Sequence, residues 1–318
     1  MSEILPNVHR VESIFGGRWL ASYLFLGERT LIIDSGFAPT AKNVIIPYLR
    51  RCGLESGDLH WLVVTHASGD HFGGNGALKN YAPRLTIIAH EQDAGSIASH
   101  ATFMAEHVEP FQPQGAPAVQ PNDPEFLALH GPEVPIDWVV QGGERLRLSA
   151  GWTVELLHLP GHTPGHLAVY DPLNRALFAG DALMGAGIPD TQGRLVMPPH
   201  YFDVDWYLAS IERARLLGAQ HLLATHYLPL SGAAAPAFLD ASQAFVTRLE
   251  AVLLDVLQSA DKPLDLPALI VAVRDQIGIP ESDYQYRLVL QAHLMQLARR
   301  GRVGAVDQTG SMRWTVAA

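Results

Sequence analysis

The sequence predicts an α/β layered fold followed by a smaller helical region. Short apolar runs alternate with helical patterns over the first three quarters of the chain, which is the rhythm of a sheet covered by helices. Of the 15 histidines only His293 lies beyond position 226, and residues 240–318 carry nine acidic and eight basic side chains. Most of the net charge of −10 therefore belongs to the first part of the chain. These two contrasts divide the protein into a histidine-rich domain, residues 1–237, and a histidine-poor domain, residues 238–318.

Composition excludes several classes of protein. The 318 residues are 48% hydrophobic and 17% charged, which is typical of a globular chain and not of a disordered one. A single cysteine, Cys52, excludes a disulfide framework and a thiolate metal cage, and it favours a reducing compartment. We find no basic start followed by an apolar stretch and no run of 18 apolar residues, so we expect a cytoplasmic protein without a membrane span. The acidic balance disfavours nucleic acid as a partner.

The predicted elements of the first domain form two groups of strands separated by a long insertion. Residues 98–137 contain seven prolines and little periodicity, so we predict a loop that acts as a lid or lies in solvent. Strands are predicted at residues 8–15, 20–26, 31–33, 61–65 and 85–89, and again at 145–148, 153–158, 166–170, 176–179 and 221–225, with helices at 38–51 and 204–217.

The second domain has the pattern of a winged helix. Helical periodicity at residues 238–259, 266–276 and 286–300 precedes a predicted hairpin with Gly310 near its turn. Its only basic cluster lies at residues 299–302, which is not the footprint of a phosphate-binding surface. We interpret this domain as a packing or dimerisation module that walls a cleft, so a homodimer is a hypothesis that follows from it.

Candidate chemistry lies at the ends of the predicted strands. In open α/β sheets, ligands collect at the carboxyl ends of strands, and glycine or proline lets the backbone turn tightly around a small object. Histidine with aspartate and no cysteine suits Zn²⁺, or Fe or Mn. The groups at these positions are Asp34, the block His66-Ala67-Ser68-Gly69-Asp70-His71, the block Pro160-Gly161-His162-Thr163-Pro164-Gly165-His166, Asp181 and His226.

The order and spacing of these blocks resemble the metallo-β-lactamase superfamily over about residues 5–235. The resemblance implies a four-layer αβ/βα sandwich with a metal centre between its two halves. It also implies a ligand set. Metal site one would use His66, position 68 and His162; site two would use Asp70, His71 and His226; Asp181 would bridge the two sites, and Asp34 and His166 would support them.

Position 68 departs from the family pattern. It is Ser68 where the family has its second histidine, and a neutral hydroxyl is a much weaker ligand than imidazole. We therefore expect one or two Zn²⁺ ions, with site two filled and site one weak or empty. The alternative is a silent substitution in a dinuclear centre, with water completing site one.

The leading hypothesis is a metal-dependent hydrolase that cleaves a small-molecule ester, thioester, lactone or related electrophile, including an aryl halide, with a metal-activated water. With one metal bound, Asp70 or Asp181 would act as general base. His66 or His162 would supply a proton to the leaving group, and Ser68 would contribute hydrogen bonding or proton transfer. The alternatives are a nuclease, an iron-dependent oxidation and a non-catalytic binding protein with a relic metal site. β-Lactam hydrolysis is a further alternative, which the tail and the missing export signal disfavour.

Overall fold

Two β-sheets packed face to face form the centre of the protein, and helices cover their outer faces. The computed structural model describes residues 2–112, 120–280, 283–308 and 311–317. The strands are β1 (Ser2–Leu5), β2 (Val8–Phe15), β3 (Arg18–Leu26), β4 (Thr30–Ile33), β5 (Trp61–Val63), β6 (Thr86–His90), β7 (Trp138–Val140), β8 (Arg145–Ser149), β9 (Trp152–His158), β10 (Leu167–Asp171), β11 (Ala176–Gly180), β12 (Ile188–Pro189), β13 (Leu195–Met197), β14 (His221–Ala224), β15 (Leu230–Ser231), β16 (Leu264–Asp265), β17 (Val303–Gln308) and β18 (Ser311–Val316).

The helices follow the same chain order. They are α1 (Ala38–Thr40), α2 (Ile46–Arg51), α3 (Gly69–Phe72), α4 (Asn75–Tyr81), α5 (Glu91–Ala98), α6 (His100–Phe103), α7 (Pro124–His130), α8 (Val204–Leu217), α9 (Ala234–Gln258), α10 (Leu266–Ile277) and α11 (Asp283–Arg299). A π-helical segment (Ala41–Ile45) joins α1 to α2, so the helix predicted at residues 38–51 is continuous in the structure.

The first sheet contains β1 to β7 in sequence order, antiparallel up to β4 and parallel from β4 to β7. In the second sheet the order is β15-β14-β11-β10-β9-β8, and β11 runs parallel to β14. The two sheets are joined by hydrogen bonds at one edge: the amide of Leu167 donates to the carbonyl of Thr65 (2.7 Å), and that of Ala21 donates to Thr225 (3.1 Å). The turn after β5 is thereby tied to β10 of the second sheet, and the turn after β14 is tied to β3 of the first sheet.

Alternation along the strands builds the layers. In β3 and β4, Tyr23 and Ile33 point into the core between the sheets, while Leu24 and Ile32 point to the outer core under the helices. A third core, on the outer face of the second sheet, packs against α8 and the C-terminal helices. The layers are therefore helix, sheet, sheet and helix. The predicted four-layer αβ/βα sandwich is confirmed.

The insertion at residues 98–137 is not the irregular loop that its prolines predicted. The described part contains α6, a π-helical segment (Met104–Val108), a 3₁₀ turn (Glu109–Phe111) and α7. His100 and His107 are buried within it, against the expectation of a solvated loop. Packing against the first half of the protein stabilises these short helices, and single-sequence periodicity does not record such packing. Two of the seven prolines lie outside the described residues.

The C-terminal region contains α9, α10 and α11 and a small sheet in the order β16-β18-β17. Its helices share one continuous core with α8 and the second sheet. The turn predicted at Gly310 lies outside the described residues, and the winged-helix assignment and the boundary at residue 237 stay predictions. No helix among the described residues is long and apolar enough to span a bilayer.

Candidate metal centre

The edge where the two sheets meet gathers the polar groups that follow five strands. Asp34 follows β4, the HASGDH block follows β5, the PGHTPGH block joins β9 to β10, Asp181 follows β11 and His226 follows β14. Parallel pairing of β4 with β5 and of β11 with β14 brings their carboxyl ends to this edge. Asp34 adopts a left-handed backbone (φ 60°), which aspartate tolerates better than most residues and which turns its carboxylate inward.

Hydrogen bonds orient the two histidines of the predicted site two. His71 donates from Nδ1 to Oδ2 of Asp34 (2.8 Å), and His226 donates from Nδ1 to the carbonyl of Trp19 (2.8 Å). Nε2 of each ring then faces the centre, where it can act as a ligand once it carries no proton. A backbone or carboxylate acceptor on the outer nitrogen is the usual arrangement for a metal-ligating histidine.

The histidines of the predicted site one are oriented in the same way. His162 donates from Nδ1 to the carbonyl of His200 (2.9 Å). The hydroxyl of Thr65 donates to Asp34 (2.9 Å to Oδ2), so it accepts from Nδ1 of His66 (3.0 Å). The two Nε2 atoms, of His66 and His162, then face each other across 3.0 Å. Two lone pairs at that separation need a cation or a proton between them.

The carboxylates of Asp70 and Asp181 face these lone pairs. Nε2 of His226 lies 3.1 Å from Oδ2 of Asp181 and 3.5 Å from Oδ2 of Asp70. Nε2 of His71 lies 3.6 Å from Oδ2 of Asp181, and this nitrogen and Oδ1 of Asp181 are buried without a hydrogen-bond partner. Carboxylates and imidazole nitrogens that face one another in a buried site need positive charge between them, from protons on the rings or from a bound cation. The donor set therefore fits a divalent cation.

Two groups of the described residues have the spacing of ligands. His66, His162 and Asp181 form one, and Asp70, His71 and His226 form the other; within each group the ligand atoms lie within 4.8 Å of one another. The structure thus brings together all six residues predicted as ligands. The backbone of Ser68 is bonded within the same turn: its amide donates to the carbonyl of His66 (3.0 Å), and its carbonyl accepts from the amide of His71 (2.9 Å).

Burial and charge act in opposite directions on the groups of the centre. Burial alone would lower the pKa values of His71 and His226, but the neighbouring carboxylates raise both, that of His71 well above its ordinary value. Burial would raise the pKa of Asp181, but His226 and His71 hold it well below its usual range. Burial lowers the pKa values of His66 and His162, so these rings are neutral. Positive charge is favoured at site two and disfavoured at site one.

Sequence reasoning missed Asp93, a fully buried carboxylate on α5. Its Oδ2 accepts from the amide of Ala67 (2.9 Å) and the hydroxyl of Thr163 (2.6 Å), and its Oδ1 accepts from the amide of Gly165 (2.7 Å). It therefore ties the HASGDH turn to the PGHTPGH turn, which carry predicted ligands from opposite halves of the sandwich. The sequence offers no signal for it, since an aspartate in the first turn of a helix usually interacts with the helix dipole in solvent.

A cavity of about 420 Å³ opens above Asp70, Asp181 and His226. The insertion forms much of its wall, and Tyr284 and Gln285 of α11 complete it. His200, in the segment before α8, lies half-buried at its side, and burial lowers the pKa of His200 to about 3. The centre is therefore reached through a chamber that the insertion and the C-terminal region build.

Comparison with known proteins agrees with this geometry. A profile of the metallo-β-lactamase superfamily matches residues 20–226, so the chain belongs to that superfamily. The protein is 34% identical over 134 residues to hydroxyacylglutathione hydrolase GloC of Haemophilus influenzae, which covers 42% of this chain and 54% of that protein. It is 25% identical over 178 residues to an N-acyl homoserine lactonase of Bacillus thuringiensis, which covers 55% of this chain and 58% of that protein.

The chain thus spans between half and three fifths of the length of these curated relatives. A metallo-β-lactamase family protein of Thermus thermophilus has the same fold over almost the whole length. Its TM-score is 0.75 at 23% identity, and the alignment covers 99% of this chain and all of that one. The C-terminal region is therefore part of an architecture that a solved structure shares.

Proposed function

We propose that the protein is a metal-dependent hydrolase of small-molecule esters, thioesters or lactones. The observation that carries this proposal is the convergence of four inward-facing Nε2 atoms and two carboxylates on a centre that lines a cavity. The hydrolase and lactonase names of the curated relatives support the same class of reaction.

Site two is the proposed metal site. Asp70, His71, Asp181 and His226 supply two imidazoles and two carboxylates, a donor set that suits zinc, iron or manganese. A divalent cation bound there would polarise the substrate carbonyl and lower the pKa of the attacking water. The raised pKa values of His71 and His226 support this assignment, because they mark the place where the site attracts positive charge.

Other residues of the chain would activate the water, position the ligands and transfer the proton. Asp70 has a side chain 27% exposed and lines the cavity, so its free carboxylate oxygen can orient the attacking water and accept its proton. Thr65 and Asp34 hold His66 and His71 in place. His66 and His162 lie beside the centre with neutral rings, so Nε2 of one of them can accept the proton that Asp70 takes from the attacking water and pass it on to the leaving group.

Contacts of the C-terminal region argue against the nuclease alternative. The arginines of its basic cluster lie in ion pairs with acids of the protein itself: Arg299 with Asp203 (3.3 Å) and Arg302 with Glu250 (3.2 Å). Arg300 pairs with an acid in the first turn of α8 (2.8 Å). Phosphate groups would have to compete with these carboxylates, so the cluster serves packing against α8 and α9.

The test combines metal analysis with activity. Protein purified without added metal should contain about one tightly bound ion per chain and should hydrolyse members of a panel of esters, thioesters, lactones and aryl halides. Asp70→Ala and His226→Ala should lose both the ion and the activity. His221→Ala is the matched control, because His221 lies on the strand before His226 and bonds to Ser231 away from the centre. Activity that survives in Asp70→Ala without a bound ion would refute the proposal.

A further inference from the structure

The cavity above the centre has polar groups at its floor and apolar groups in its walls. Asp70, Asp181 and His226 lie at the floor. Phe37 and Ile188 line the walls from the two halves of the sandwich. The walls have the composition of a ligand pocket in which a few polar groups fix orientation and apolar side chains supply the contact area.

The insertion supplies the largest part of the apolar wall. Phe103, Met104, Phe126 and Leu129 all line the cavity, and all come from residues 98–137. His130 stacks on Phe126 (centroids 3.8 Å apart, planes 10° apart), with its Nδ1 donating to the carbonyl of Phe126 (2.9 Å). Because Nδ1 of His130 donates within the protein, the neutral ring has no further N–H to donate to a polar ligand.

The wall is built into the fold and does not depend on a ligand to form. Tyr284 of α11 donates its hydroxyl hydrogen to the carbonyl of His107 (2.5 Å), and Phe111 packs edge-on against Phe202 (5.2 Å). The side chain of Glu133 accepts from the amide of His100 (2.7 Å). These contacts fix the insertion between α11 and the segment before α8, so the cavity is preorganised.

Charge above the floor is sparse. Among the described residues that line the cavity, Arg18 is the one with a permanent positive charge. A strongly charged substrate portion would leave its charges poorly compensated against phenylalanine, methionine and leucine side chains. A hydrocarbon portion would instead exchange water for these side chains.

We propose that the insertion cavity binds an apolar acyl or aryl group, so that the preferred substrates are esters, thioesters or lactones of hydrocarbon acids. This inference rests on the proposed hydrolase function for the reaction and on the cavity wall for the substrate class. The C-terminal region, through Tyr284, then takes part in substrate binding by completing the wall.

The expected effect is a steep dependence on chain length. In a series of unbranched acyl esters from acetyl to octanoyl, kcat/KM should rise about fourfold for each added methylene, which corresponds to about 0.8 kcal/mol, until the cavity is filled. The rise should appear mainly in KM if the chain binds equally in the ground and transition states.

A matched pair of variants on α7 tests the location. Leu129→Trp places an indole at the cavity wall, and Leu127→Trp places the same ring at an exposed position (39%) of the same helix. Leu129→Trp should reduce kcat/KM for the octanoyl ester at least tenfold more than for the acetyl ester. Leu127→Trp should keep the wild-type ratio between the two esters.

A binding measurement separates the substrate class from the reaction. The neutral apolar probe N-phenyl-1-naphthylamine should bind metal-free and metal-loaded protein with enhanced fluorescence, and Leu129→Trp should weaken it. Probe binding without turnover of any ester, thioester or lactone would refute the proposed hydrolase and leave the apolar site standing. A chain-length series that is flat, a preference for a hydroxyacyl thioester of a charged tripeptide, or equal effects of the two tryptophans would overturn the inference.

Discussion

Replacing Asp93 by asparagine tests whether one buried carboxylate holds the two ligand turns together. In the variant, the side-chain amide oxygen can take over from Oδ2 and accept from Ala67 and Thr163, but the side-chain NH₂ then faces the amide N–H of Gly165. A buried N–H left without an acceptor costs about 1–3 kcal/mol, and hydrogen bonds to a neutral acceptor are weaker than those to a charged one. We expect Asp93→Asn to lower the free energy of unfolding by about 2–5 kcal/mol.

The assay is urea unfolding of the metal-free protein, followed by kinetics of the metal-loaded variant. Asp137→Asn is the control: its carboxylate also accepts a backbone N–H (Ile87, 2.8 Å), but it lies 32% exposed beside Lys79 and away from the centre. Asp137→Asn should lower the free energy of unfolding by about 1 kcal/mol or less.

Kinetics show whether Asp93 positions the site or only stabilises the fold. If it positions His162 through Thr163 and Gly165, kcat should fall about 10–100-fold in fully folded protein, with a smaller change in KM and an unchanged metal content. The reasoning fails if Asp93→Asn unfolds at the wild-type urea concentration, or if its folded form keeps the wild-type kcat.

Further predictions concern position 68, the close contact at Gly69 and a buried histidine remote from the centre. Ser68→His should raise the metal content, measured by elemental analysis, from about one ion towards two per chain, because imidazole is a much stronger zinc ligand than a hydroxyl. Ser68→Ala is the control and should leave the metal content unchanged. An unchanged metal content in Ser68→His would show that this position does not limit site one. Gly69→Ala should lower the free energy of unfolding, measured in urea, by about 1–3 kcal/mol and expose α7 to proteolysis, because the added Cβ would overlap the His130 ring. Gly57→Ala, with open space around it, is the control and should do neither. Burial lowers the pKa of His293 to about 3. Between pH 6.5 and 3 the unfolded chain therefore takes up a proton that the folded chain does not. The free energy of unfolding then falls with falling pH by up to about 1.4 kcal/mol per pH unit. His293→Gln should remove that part of the acid sensitivity, and an unchanged slope would contradict the assignment.

The convergence of these polar groups could be predicted from the sequence because they lie in short turns directly after strands, whereas their assignment as ligands came from the resemblance to the metallo-β-lactamase superfamily and stays a prediction. Asp70 and His71 share one turn with His66, and parallel pairing brings the turns after β11 and β14 beside each other. The prediction that these groups converge needs only their position after a strand and their residue type, and both can be read from a single sequence. Which of the two sites binds more tightly is a separate question that depends on the group at position 68.

The wall of the cavity could not be predicted in this way. Its helices α6 and α7 are four and seven residues long, too short to be stable alone, and their apolar side chains find their partners on other elements. Tyr284 lies 177 residues beyond His107 along the chain, yet it donates a hydrogen bond to the carbonyl of that residue. Asp93 escapes prediction for the same reason, since its partners are backbone amides and a hydroxyl whose approach only the folded chain reveals.

The residue at position 68 decides whether the His66–His162 pair of site one is expected to hold a metal ion or a proton. The neutral rings of His66 and His162 meet at 3.0 Å with both outer nitrogens engaged as donors, so something positive must lie between them for the tautomers to persist. A cation there would have Asp181 as a third ligand and would lack a fourth, which a histidine at position 68 would supply and a serine does not. A proton needs none, although burial opposes it at these rings. We therefore expect Ser68→His to turn the proposed proton-exchanging pair of site one into a metal site. The pH dependence of kcat should change together with the metal content, and a change in only one of the two would separate the roles assigned to this pair.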